Sequence, residues 1–126
     1  MSEMKMTDFV ATVFDGHSNP TKATVAFTMA VKALEKGHTA TVILMVNAIE
    51  LGRPGAADDI DVGAPFTPLK QLWAQFLERG GQIALCAACM GNQGYKAEQM
   101  DSRYFIINGP DIVDLLMAAK GTLQIG

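Results

Sequence analysis

The sequence predicts an α/β protein: a three-layer α/β/α arrangement around a mainly parallel sheet of about five strands, in one domain spanning 1–126. Three observations carry this expectation. Short apolar, β-branched runs alternate with stretches of helical spacing along the chain. Those runs are apolar at successive positions, as strands covered on both faces are. Prolines and glycines stand at the starts and ends of the helical stretches, where each is favoured.

The elements follow in order. Phe9–Phe14 (F-V-A-T-V-F) is the first strand run. Ala23, Phe27, Ala30, Val31 and Leu34 then share one face of a helix, with Pro20 in its first turn, Asn19 as cap and Gly37 as stop. Thr39–Val46 is the second strand run. After it, 47–63, with Gly52, Pro54, Gly55 and the solvated aspartates Asp58, Asp59 and Asp61, is expected to be a long loop. It lies on the side where open α/β sheets bind ligands. Leu69, Leu72, Trp73, Phe76 and Leu77 form a second helical face, opened by Pro68 after Thr67 and closed by Gly80. Ile83–Cys86 and Tyr104–Ile107 are two further strand runs. Ile112, Leu115, Leu116 and Ala119 share a third helical face, with Pro110 in its first turn, Gly109 as cap and Gly121 as stop. Thr122–Ile125 can add a short fifth strand. Strand and helix in alternation give βαβ units with right-handed crossovers, hence a parallel sheet with helices on both faces.

Composition narrows the function. Of 126 residues 49% are hydrophobic and 18% charged, against a usual charged share of about 25%. Mean hydropathy is +0.18. Such a chain is not disordered. With 10 Lys and Arg against 13 Asp and Glu, it does not bind nucleic acid through bulk positive charge. The opening residues Met1–Asp8 hold Glu3, Lys5 and Asp8 without an apolar run, so a secretory signal is not expected. The longest unbroken apolar run, Val42–Val46, is far too short to span a bilayer. A cytoplasmic protein without a membrane span, its thiols reduced, is the expectation. The shortage of charge points to subunit contacts, because an oligomer hides apolar surface that a monomer would leave in water.

Two motifs bear on chemistry. The loop Asp15-Gly16-His17-Ser18-Asn19-Pro20 leads into a helix, but it carries neither a dinucleotide-binding nor a P-loop glycine pattern. An ordinary turn and cap accounts for it. Cys86-Ala87-Ala88-Cys89 is richer in chemistry. It closes the third strand, at the carboxyl edge of the sheet. If a helix begins near Ala87, Cys86 sits at its N-terminus, where partial positive charge favours the thiolate needed for nucleophilic or sulfur-carrying work. Burial of both cysteines as small hydrophobes is the other reading. A metal site is not expected: His17 belongs to the carboxyl edge with the cysteines, whereas His38 precedes the second strand and belongs to the opposite edge. A thioredoxin-type dithiol shares the C-x-x-C spacing but places it after an early strand of a mixed sheet.

The stretch Gly80-Gly81-Gln82-Ile83-Ala84-Leu85-Cys86-Ala87-Ala88-Cys89, the Glu78-Arg79-Gly80-Gly81 helix end and the Asp111-Ile112-Val113-Asp114-Leu115-Leu116 helix together resemble the DsrE/DsrF-like family, which includes TusD-type sulfur-relay subunits. The likeness covers nearly the whole chain. It implies a DsrE-like domain of flavodoxin-like appearance. It also implies a cysteine at the end of the third strand, eight residues before a glycine, that receives sulfur as a persulfide. Cys86 stands eight residues before Gly94, so that role falls on Cys86. Cys89 would be its partner thiol, able to resolve the persulfide as an internal disulfide. Asp15, His17, Asn47, Met90 and Asn92 are expected around the pocket. The resemblance implies no cofactor, sulfur donor and acceptor proteins as partners, and a homo-oligomer, trimer or hexamer, in the cytoplasm. A non-catalytic assembly or small-ligand-binding subunit, and a Cys86–Cys89 dithiol/disulfide protein, are the alternatives.

Overall fold

A computed structural model describes residues 3–126. Among them are five strands, β1 (Phe9–Val13), β2 (Ala40–Leu44), β3 (Gln82–Cys86), β4 (Phe105–Ile107) and β5 (Gly121–Ile125). Four α-helices join them: α1 (Pro20–Glu35), α2 (Leu69–Glu78), α3 (Ala87–Gln93) and α4 (Gly109–Ala118). Every strand pair is parallel, in the order β4-β3-β2-β1-β5. The predicted three-layer α/β/α class is the observed one.

The order of the strands sets the layers. From β1 to β4 each strand is laid down beside the last in one direction, so right-handed crossovers put α1 and α2 on the same face. The step from β4 to β5 returns across the whole sheet, which sends α4 over the other face. Between α1 and α2 the core is aromatic. Phe27 stacks on Trp73 with ring centroids 4.3 Å apart, and the Phe76 ring meets Phe27 edge-on at 5.5 Å. Gly81 lies against this cluster: a Cβ there would stand 2.5 Å from the Phe76 ring, so the chain passes only without a side chain.

Several local expectations are corrected. Gly37 and Gly80 do end α1 and α2, at φ +90° and +87°. Thr67 does not cap α2, whose N-cap is Pro68 itself. In α4 the cap is Asn108, not Gly109. Its side chain accepts from the Asp111 N–H while the Asp111 carboxylate accepts from the Asn108 N–H, a reciprocal capping box with Pro110 in the first turn. Gly121 is not a helix stop; α4 ends at Ala118 and Gly121 opens β5, paired with Phe9. The segment after β2 is not wholly irregular, because Val46–Gly52 winds into a 3-10 helix that buries Ala48, Ile49 and Leu51. Of the loop aspartates, Asp59 is not merely solvated: its Oδ1 lies 2.9 Å from His17 Nε2.

Candidate functional site

The site is built at the carboxyl edge, where β2 and β3 end side by side. Leu44 pairs with Leu85, so the residues that follow leave the sheet as neighbours. On β3 the chain passes directly from the buried Ile83–Cys86 run into α3, with Cys86 as N-cap. The Cys86 sulfur accepts a hydrogen bond from the Cys89 N–H at 3.4 Å, the place that a serine or aspartate oxygen usually fills. Gly94 ends α3 in the left-handed conformation, at φ +81°. The glycine eight residues after Cys86 is therefore the helix stop.

The two thiols differ in access. Cys86 is 6% exposed and packs with the core. Cys89 is half-buried and lines a shallow, mainly apolar pocket of about 250 Å³ with Val46, Ala88, Asn92 and Gln93. Burial pushes the Cys89 thiol above its ordinary range, and its hydrogen bond with the Cys86 thiol adds to that. The nearby backbone of Val46 acts the other way and lowers it.

Val46 is unusual in its own right. Its φ is +53°, in the left-handed region, where a β-branched residue costs roughly 1–3 kcal/mol. The neighbouring amides on either side turn to β1: Met45 N–H donates to Val13 and Asn47 N–H to Phe14. Val46 itself lines the Cys89 pocket. Its carbonyl accepts from Gln93 Nε2 at 2.7 Å, and the same nitrogen reaches Asn47 Oδ1 at 3.3 Å.

The expected site residues separate into groups. Asn92 lies with Cys89 in the pocket. Asn47 lines an adjoining polar hollow with Ser18, Glu50, Gln93 and Tyr95, so Gln93 is the wall between the two. Met90 points into the core, 4% exposed. Asp15 and His17 line neither hollow. Asp15 pairs with Lys22 at 3.1 Å. His17 is clamped between two carboxylates, with Nε2 on Asp59 and Nδ1 3.3 Å from Glu50, while its N–H donates to Glu50 at 2.7 Å. The bond to Asp59, supported by Glu50 and opposed by partial burial, holds the imidazole above its ordinary titration range. Val46, Ala88 and Gln93 were not expected at the site. The position of Val46 at the end of a strand run was the one sequence signal for any of them.

His38 pairs with Asp8 at 3.5 Å beside the start of β2, at the edge opposite the cysteines. Among the described residues no cluster of three or more His, Cys, Asp or Glu side chains is placed to hold a metal ion. No helix among them is long and apolar enough to cross a membrane.

Comparison with known proteins agrees with this architecture. The model of the DsrE/DsrF-like family matches residues 4–124. The ychN protein from E. coli superimposes with a TM-score of 0.70 at 15% identity, over 94% of this chain and 99% of that one. A conserved protein of unknown function from Bacteroides thetaiotaomicron, BT1422, does so with a TM-score of 0.61 at 18% identity, over 94% and 95%. At these identities the structural likeness shows the fold alone. No curated protein sequence matches the chain.

Proposed function

The chain belongs to the DsrE/DsrF-like family, and from that premise we propose that it is a cytoplasmic sulfur carrier that accepts sulfane sulfur as a persulfide on Cys86 and passes it on. The observation that supports this reading most directly is the placement of Cys86. It caps α3 at the end of β3, with the Cys89 N–H on its sulfur and a second thiol one helical turn away.

The chemistry is thiol exchange and needs no oxidant. The Cys86 thiolate attacks the outer sulfur of a donor persulfide, and the donor leaves as its thiolate. Cys86 now holds the sulfur as R–S–S⁻. An acceptor thiolate attacks that outer sulfur, the new persulfide forms on the acceptor, and Cys86 leaves as thiolate. Cys89 has a different option: its thiolate can attack the inner sulfur, forming the Cys86–Cys89 disulfide and expelling hydrosulfide. Donor and acceptor are then proteins whose thiols can reach the carboxyl edge.

Self-association belongs to the same reading. The outer face of α4 presents Val113 and Met117, one turn apart and 56% and 79% exposed, on a chain short of charge. A homo-oligomer, trimer or hexamer, covers that face.

Incubation with glutathione persulfide, alkylation and peptide mapping tests the carrier reading. Sulfur added on the Cys86 peptide and lost on treatment with a thiol acceptor supports it. Thiols that take up no sulfur in the native protein, and alkylate only after unfolding, would instead leave a binding or assembly subunit.

A further inference from the structure

A second cavity lies at the amino edge of the sheet, opposite the cysteines, where α1 ends and β1 and β5 begin. It measures about 380 Å³ and is mainly apolar, within the roughly 300–1,000 Å³ usual for small-ligand sites. One wall is a single face of α1, on which Met29, Lys32, Ala33 and Lys36 stand at i, i+3, i+4 and i+7. Met29 is 46% exposed there, although it faces an apolar hollow. Phe9 of β1 closes the floor, and Gly121 of the edge strand β5 leaves space open, since a Cβ there would meet no atom within 4 Å. Hydrogen bonds lace this frame together. The N–H groups of Lys120 and Gly121 donate to the Asp8 carbonyl at 2.8 and 3.1 Å, Asp8 N–H donates to Thr39 Oγ1 at 2.9 Å, and Phe9 N–H to the Thr39 carbonyl at 3.0 Å.

The rim is cationic on a chain whose net charge is -3. Lys32, Lys36, Lys120 and His38 surround the cavity, and Asp8 is the one carboxylate among its lining residues. Asp8 engages His38 at 3.5 Å and Lys120 at 3.7 Å, and Lys32 meets Glu35 only at 3.9 Å. Lys36 pairs with no carboxylate among the described residues. Lysines so placed lay their methylenes along an apolar wall and keep their ammonium groups at the water.

We propose that this cavity binds an amphipathic anion, an aliphatic chain ending in a carboxylate. The chain lies against Phe9, Met29 and Ala33, where its burial takes apolar surface of both partners out of water. The carboxylate sits among the ammonium groups of Lys32, Lys36 and Lys120. Asp8 opposes a doubly charged head, so a single negative charge is the better match. The site is at the other edge of the sheet from Cys86 and does not rest on the carrier reading.

The test titrates octanoate into the native protein carrying methyl-labelled methionine and follows the Met29 methyl by NMR, its signal assigned with Met29→Leu. A saturable shift is expected with octanoate, a much weaker one with octanol and none with acetate. Lys36→Gln combined with Lys120→Gln changes two exposed side chains and is expected to raise the octanoate Kd by roughly threefold to tenfold. Added salt acts in the same direction. Ala33→Met fills the floor with a good helix former and is expected to abolish the shift, with its urea midpoint checking that the variant folds. A Met29 methyl that octanoate leaves in place overturns the proposal, including where a second copy of the chain covers the cavity. Equal affinities for octanoate and octanol overturn it too, as do an unchanged Kd in the double lysine variant and undiminished binding in folded Ala33→Met.

Discussion

The backbone N–H of Cys89 donates to Sγ of Cys86 across 3.4 Å, so the residue proposed to carry sulfur is also the N-cap of α3. Structure and chemistry can be separated by substitution. Cys86→Ser keeps a capping atom, while Cys86→Ala leaves the first turn of α3 without one, at a cost of about 1 kcal/mol. Urea denaturation is expected to place Cys86→Ser nearer the wild type than Cys86→Ala. Both variants lose sulfur loading on that peptide.

The His17 clamp predicts a pH dependence. Its carboxylate partners raise the imidazole's folded titration point above the unfolded value of about 6.5. The protonated form binds the partners, so the stabilisation is fully present below the unfolded value and is lost as pH rises through the folded one. In an NMR titration His17 is expected to titrate above its ordinary value. Asp59→Asn, which removes the partner with the largest influence, lowers that midpoint.

Thr12 offers a stabilising change. On β1 its hydroxyl oxygen is buried and has no hydrogen-bond partner among the described residues. Thr12→Val replaces the hydroxyl with a methyl of similar shape, in a strand that favours β-branched residues. The urea midpoint is expected to rise, by about 1 kcal/mol or more in stability.

How much of this was legible in the sequence depends on the kind of signal. The strands were visible because burial on both faces leaves unbroken apolar runs, and Phe27, Trp73 and Phe76 showed their shared core through helical spacing. Helix starts were less visible: Asn108 and Asp111 cap α4 through side-chain geometry, whereas Gly109 was favoured by position alone. Cys86 could be placed at a strand end by its neighbours. The remainder of the site could not, because it depends on which side of the chain faces which. His17 and Asp15 follow β1 at the carboxyl edge, yet each is taken by a charged partner. Gln93 looked like one polar residue among several, and only the turn at Val46 gives it a partner.

The exposed face of α4 predicts how the oligomer would come apart. Val113→Lys with Met117→Lys places two charges on the outward stripe and leaves the buried Ile112 and Leu115 untouched. Light scattering should find the wild type larger than its 13.5 kDa chain and the double variant closer to that mass. A wild-type mass of 13.5 kDa would count against self-association. An assembled double variant would move the contact to another face.

The most direct measurement is intact-mass spectrometry of the native protein after brief exposure to glutathione persulfide and removal of the donor, run in parallel on Cys86→Ser and Cys89→Ser. A sulfur carrier gains one sulfur atom in the wild type and in Cys89→Ser, gains none on Cys86→Ser, and returns to its starting mass when an acceptor thiol is added. A wild-type mass that does not change, or a gain that survives in Cys86→Ser, would contradict sulfur carriage on Cys86.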